Sequence, residues 1–305
     1  MKELKNGKMK FESFVEYLLL EKKYSVNTVK AYENDLKEFS EFIEENYQLK
    51  KTAEVEYNLI RAWIVVLLEK KLSNRSVNRK ISSLQAYYNF LLKTQQIEKN
   101  PLVKHKSLKV SEKVQVPFSQ KEMKAVMENS FAEDFEGIRD RLIIELLYST
   151  GMRRGELIAI KTVDVDVNNK ELKVRGKGNK ERLVPILSSV VKTLKLYLEE
   201  REKLEEIKED YLFLTKKGKQ LYPGLVYRVV KLYFRGVSTK TKISPHVLRH
   251  TFATHLLNEG ADLNSIKSLL GHESLASTQI YAHNDIAILK KVHAKAHPRN
   301  KKSKK

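Results

Sequence analysis

Two arginines, a lysine, two histidines and a tyrosine stand in four short strings of the second half of this 305-residue chain: Arg153, Lys177, His246, Arg249, His272 and Tyr281. The strings are Ser149-Thr-Gly-Met-Arg-Arg-Gly-Glu156, Gly176-Lys-Gly-Asn-Lys-Glu-Arg182, His246-Val-Leu-Arg-His250, and Leu270-Gly-His272 with Tyr281 nine residues further on. Together these groups suit attack on a phosphodiester. Such a diester repels nucleophiles by its own charge and gains charge on its nonbridging oxygens as a fifth bond forms. A guanidinium fork matches two of those oxygens at once, an imidazole moves protons near neutral pH, and a phenol can attack the phosphorus.

Taken singly, each group has a plainer reading. Arg153 lies beside Arg154, so it could be a surface arginine with Glu156 as its salt-bridge partner. His246 and Arg249, at i and i+3, share a face near a helix start, where free amides and the dipole favour a phosphate. His246, His250 and His255 could instead suggest zinc, but there is no HExxH pattern and no cysteine. Gly176-Lys-Gly178 is not a P-loop, because no Ser or Thr follows the lysine. By itself it is a basic hairpin tip. His272 after Gly271 could cap a helix, and Tyr281 is one of 14 tyrosines, most of which serve packing.

The composition narrows the class. With 58 Lys and Arg against 38 Asp and Glu, the chain carries a formal charge of +20. That excess suits a polyanion binder, because neutralised phosphates release counterions, although a generally basic surface gives the same sum. The absence of cysteine excludes disulfides, thiolate metal sites and cysteine catalysis. No run approaches the ~18 apolar residues of a membrane span, so a soluble, cytoplasmic protein with no membrane partner is expected.

The elements that must position these groups fall into two blocks. Residues 1–106 read as a helical bundle, with apolar faces at Phe11–Leu19, Thr28–Ile43, Ile60–Lys70 and Ser76–Thr94. Ser25 or Asn27 can cap the second helix, and Ser73 or Asn74 the fourth. Residues 107–117 are lysine-rich and aperiodic, and read as a linker. Residues 118–305 open with a helix after Ser119 and another over Arg139–Tyr148. Short strands are predicted at Val163–Val167, Glu171–Arg175 and Arg182–Ile186. Helices are predicted at Val190–Lys208, Gly224–Arg235, Pro245–Asn258, Asp262–Leu270 and Leu275–Tyr281, with Gly260 and Gly271 as stops and Ser244-Pro245 as a start. The fold class is mainly α with a small antiparallel β-sheet. The tail after Asp285 is basic, and Ile286, Leu289 and Val292 give it an apolar face.

The four strings resemble the tyrosine site-specific recombinases of the phage-integrase family, and most closely the Xer-type members. The strings Ser25-Val-Asn-Thr-Val-Lys-Ala-Tyr32 and Leu72-Ser-Asn-Arg-Ser-Val-Asn-Arg79 resemble their N-terminal core-binding domain. The resemblance implies a two-domain C-shaped clamp around double-stranded DNA. Tyr281 would be the nucleophile that forms a 3′-phosphotyrosine, with Arg153, Arg249 and His272 on the scissile phosphate. His246 would accept the phenol proton and Lys177 would act as general acid. Lys180, Arg182, Arg79 and Lys80 would contact the DNA. Neither cofactor nor metal is implied. The implied partners are inverted-repeat half-sites, a homotetramer or a heterotetramer with a second recombinase, and an activator such as a DNA translocase. Neighbouring protomers would exchange the segment Ile286–His297. An integrase of a phage or conjugative element would share the chemistry. A non-catalytic DNA-binding protein on the same fold is the alternative from another class.

Overall fold

Serines with free hydroxyls and apolar residues at helical spacing account for most of the first block. The computed structural model describes residues 11–110, 115–128, 131–176, 180–207, 209–240 and 242–271, together with His293, His297 and Pro298. It divides into two compact units, Met1–Lys113 and Val114–Lys305. In the first, α1 (Glu12–Leu20), α2 (Val26–Tyr47), α3 (Tyr57–Glu69) and α4 (Asn74–Lys93) form a bundle. Ser25 and Ser73 are the caps, accepting from the amides of Thr28 and Ser76. Leu36, Phe39 and Ile43 from α2 meet Ile60, Trp63 and Leu67 from α3 and Val77, Leu84 and Tyr88 from α4 in a single core. Each such side chain contributes about 1.5–3 kcal/mol on burial.

One boundary differs from the sequence reading. Residues 107–110, expected to begin a solvated linker, are fastened to the bundle. The Asn78 amide donates to the Leu108 carbonyl at 2.8 Å, and its oxygen accepts the Leu108 N–H at 2.9 Å. Asn74 donates to the Lys109 carbonyl at 2.7 Å, and Leu108 packs on the core. An asparagine side chain can satisfy both polar groups of one peptide-like segment.

The second unit is built around α6 (Phe135–Thr150), preceded by α5 (Gln120–Glu128). Leu142, Ile143, Ile144, Leu146, Leu147 and Tyr148 of α6 are all buried. The first turns of α6 carry Glu136, Arg139, Asp140 and Arg141, which read as polar surface in sequence, although Arg139 and Asp140 are buried as a pair. Its start at Phe135 was therefore not expected. Asp134 caps it by accepting from the Gly137 amide at 2.8 Å. After α7 (Arg154–Ala159) come β1 (Val165–Asp166), β2 (Glu171–Arg175) and β3 (Glu181–Pro185), an antiparallel sheet in that order. Leu172 pairs with Val184 and Val174 with Arg182. The first strand is shorter than expected because Asp164 accepts the Lys161 amide at 3.0 Å and bends Thr162–Asp164 into a 3-10 turn.

Helices α8 (Ser188–Glu202), α9 (Pro223–Arg235), α10 (Pro245–Asn258) and α11 (Leu263–Leu270) complete the unit. The expected run to Lys208 stops at Glu202 because the chain turns back over Arg201. The buried Arg201 guanidinium donates to the carbonyls of Tyr211 and Glu209, and Leu212, Phe213 and Leu214 enter the core. The expected helix Leu275–Tyr281 lies outside the described residues. Among the described residues, no helix is long and apolar enough to cross a membrane.

Candidate active site

The site forms where α6, α7, α10 and α11 end or begin. Helix α6 stops at Gly151, whose φ of 63° suits glycine. A β-carbon there would sit 2.3 Å from the Phe252 ring and 2.7 Å from Leu270, so space and conformation both demand glycine. Two residues on, Arg153 caps α7. Its backbone amide donates to Glu156 Oε2 and its Nη1 to Glu156 Oε1, each at 2.8 Å. The Arg153 side chain keeps 45% of its surface exposed while that of Glu156 keeps 5%. The guanidinium therefore projects from a fixed, buried carboxylate.

Arg249 is held differently. It is buried on α10, with Nη1 donating to the Gly151 carbonyl at 2.7 Å and Nη2 to the Leu270 carbonyl at 2.8 Å. Both acceptors lie at helix C-termini, where the dipole favours a cation. Burial, and then the neighbouring Arg153 charge, bring the Arg249 guanidinium down to about 10, still charged at neutral pH. His246 lies one turn earlier, on the first turn of α10 behind Ser244 and Pro245. Its imidazole is held below its ordinary value by partial burial, then by the charges of Lys242, Arg249, His250 and Arg153. At neutral pH it is mostly uncharged and able to accept a proton. The same influences place Arg153, His246 and Arg249 in one electrostatic neighbourhood.

Glu156 is saturated. Besides Arg153 it accepts Arg182 Nη2 on Oε2 at 2.8 Å and Arg182 Nη1 on Oε1 at 3.2 Å. Burial raises its carboxyl, but the bond and charge of Arg182 and the bonds from Arg153 outweigh this and hold it below the ordinary carboxylate value. Arg182, which the resemblance gave as a DNA contact, is thus not an exposed cation. Its side chain is 9% exposed and fully occupied with Glu156 and, through Nε, with the Leu269 carbonyl at 3.3 Å. Lys80 needs the same correction. Its side chain is 10% exposed and paired with Asp35 and Glu38. Arg79 also binds Asp35, yet its side chain is 47% exposed. Lys180 is exposed.

Lys177, His272 and Tyr281 lie outside the described residues, but the residues before the first two, Gly176 and Gly271, are placed. The Gly176 amide donates to the Lys180 carbonyl at 2.8 Å, and a β-carbon on Gly176 would lie 3.6 Å from Glu156 Oε1 and 3.7 Å from Arg182 Nη1. Gly271 ends α11 with φ at 63° and packs on Arg182, 3.1 Å from Nη1 by the same measure. Among the described residues no group of three metal-ligating side chains converges. His255 instead hydrogen-bonds the Tyr148 hydroxyl at 2.9 Å.

The end of the chain supplies residues that the site reading missed. His293 and His297 are buried. His293 Nε2 bonds the Ser149 carbonyl and His297 Nε2 the Tyr148 carbonyl. The His297 ring packs edge-on against Tyr148 at 4.9 Å. The segment expected to pass to a neighbouring protomer thus has its last two histidines seated on its own chain. The signal available was their i, i+4 spacing, which sets two imidazoles on one helical face.

Residues 117–287 match the phage integrase family, and residues 11–95 match its N-terminal SAM-like domain. Tyrosine recombinase XerC of Staphylococcus carnosus is 40% identical over 293 residues, covering 96% of this chain and 98% of that protein. XerC of Chlorobaculum parvum is 36% identical over 314 residues, covering 94% of each. Among solved structures, the XerH site-specific recombinase bound to difH in a pre-cleavage complex shares the fold. Its TM-score is 0.67 at 24% identity, and the match covers 93% of this chain and 82% of that one.

Proposed function

The chain belongs to the phage integrase family and is a tyrosine recombinase, and on that premise we propose how its residues divide the work of DNA strand exchange. The Tyr281 oxygen attacks the scissile phosphorus, the bond to the 5′-oxygen breaks, and the products are a 3′-phosphotyrosine and a free 5′-hydroxyl. A phenol with an ordinary pKa near ~10 must lose its proton as it attacks, and His246, uncharged at neutral pH, takes it. Arg153 and Arg249 stabilise the nonbridging oxygens, and His272 adds a hydrogen bond. Lys177 protonates the departing 5′-oxygen. The ester bond is conserved in the intermediate, so reversal by a 5′-hydroxyl from another duplex needs no ATP.

The observation that carries this reading is the convergence of Arg153, Arg249 and His246 around Gly151 and the start of α10. The biological task we assign is resolution of chromosome or plasmid dimers in the cytoplasm. The active form is a tetramer of this chain, alone or with a second recombinase, on inverted half-sites, and a DNA translocase is a fitting activator. The 40% identity to a XerC protein over nearly the whole chain supports this over a mobile-element role.

A nicked suicide substrate tests the chemistry. The full-length protein should form a covalent adduct, in the presence of excess EDTA as well. Tyr281→Phe should form none while binding the same DNA with unchanged affinity. Adduct formation by the Phe variant would assign the nucleophile elsewhere.

A further inference from the structure

We propose that Arg182 is a positioning residue that limits the hold of Glu156 on Arg153 and fixes Gly176 and Gly271, the residues before Lys177 and His272, beside it. This rests on the recombinase reading above. A carboxylate offers about four lone-pair sites, and Glu156 uses all of them: Arg153 takes two, one by its backbone amide and one by Nη1, and Arg182 takes the other two. While Arg182 fills its share, Arg153 gives Glu156 a single side-chain N–H. Without Arg182, the buried carboxylate would have two sites open beside a flexible arginine. The favoured response is a bidentate fork, which turns the Arg153 guanidinium toward Glu156 and away from a phosphate.

The same guanidinium joins the other motifs. Arg182 lies at the start of β3, opposite Val174 and close to Gly176, where the chain enters residues 177–179. Its Nε reaches the Leu269 carbonyl, and its plane lies against Gly271, the residue before His272. No lysine could do this, because a single ammonium lacks the spread of a planar fork. The arginine therefore sets the register between α7, Gly176 at the end of β2 and the end of α11.

The test uses full-length protein on a nicked duplex bearing the cleavage site mapped by covalent trapping. Adduct formation is measured in single turnover at saturating protein, with half-site affinity, its salt dependence and the thermal midpoint measured alongside. Arg182→Ala should slow adduct formation about 10²-fold, the cost of a small misplacement at a reacting centre, without changing half-site affinity or its salt slope. Adding Glu156→Gln should recover part of that loss, because the competing carboxylate is gone. Arg182→Lys retains a cation beside Glu156, keeps the test valid should the alanine variant not fold, and should remain slower than wild type. A fall in affinity with a salt slope reduced by about one and an intact rate would make Arg182 a phosphate contact. Additive losses in the double variant, a full rate for Arg182→Lys, or a defect that vanishes on cooling would each overturn the positioning role. Wild-type adduct formation, and its loss in Tyr281→Phe, separate these outcomes from failure of the recombinase reading itself.

Discussion

Each unit buries a carboxylate beneath basic side chains, and the two sites solve the charge problem differently. In the N-terminal unit Asp35 meets Arg79, Lys80 and the Ser83 hydroxyl, with Glu38 as a second acid for Lys80. Acids and cations are matched there, and the cluster ties α2 to α4. In the C-terminal unit one carboxylate, Glu156, faces Arg153 and Arg182, with Arg249 near enough for its charge to be felt. Cations outnumber the carboxylate there, and Arg249 donates to two helix-end carbonyls. A matched cluster has no call for an added anion. An excess of cations leaves a positive field where a phosphate can sit. The difference teaches that the balance of partners, more than the number of basic residues, separates a structural cluster from a catalytic one.

The comparison can be broken most directly at Asp35. Asp35→Ala leaves Lys80 with Glu38 as its remaining acid and should cost about 3 kcal/mol, the low end of the loss when one partner of a buried pair is removed. The share from half-exposed Arg79 is small. Urea unfolding resolved by native-state hydrogen exchange should place that loss in the first unit alone. A change under about 1 kcal/mol would mean the cluster is as well solvated as a surface pair. Next in size, Arg249→Ala should slow covalent adduct formation by about 10²–10³-fold, the usual cost of one oxyanion donor. It should leave exchange in the first unit untouched. A rate within a few-fold of wild type would reduce Arg249 to a helix clasp.

The smallest effect sharpens the contrast through pH. His255 and His293 are buried in the second unit, and burial is the main cause holding both below the ordinary 6.5. The unfolded chain therefore takes up protons first as pH falls. The stability these groups contribute is complete above the unfolded value near 6.5 and is lost as pH drops below it. In the first unit His105 shifts the same way, but it is one group against three, since His246 of the second unit is lowered as well. Hydrogen exchange compared on either side of pH 6.5 should show the second unit losing more protection. Equal losses would show that His255 and His293 are solvated.

Much of this was legible before any coordinates. Helices α2, α4 and α10 announced themselves through Ser25, Ser73 and Ser244-Pro245, whose capping chemistry is local. The basic composition of the site was local too, because Arg153 and the pair His246 and Arg249 stand within single motifs. What failed was long-range. Lys80 and Arg182 look like solvent-facing cations in sequence, and only the fold brings Asp35, 45 positions away, or Glu156, 26 positions away, to bury them. The start of α6 was lost for a related reason, since Arg139 and Asp140 read as polar surface and only the fold buries them as a pair.

His293 and His297 rest on the carbonyls of Ser149 and Tyr148, next to Gly151 and Arg153. A seat filled by the chain's own terminus is filled at an effective concentration on the order of millimolar, whatever the protein's dilution. A second copy offering the same segment from free solution competes against that figure and loses. A copy bound to an adjoining stretch of the same duplex would compete on closer terms. Exchange of tails would thus become a proximity reading, in which the DNA that spaces the protomers decides when the seat changes hands.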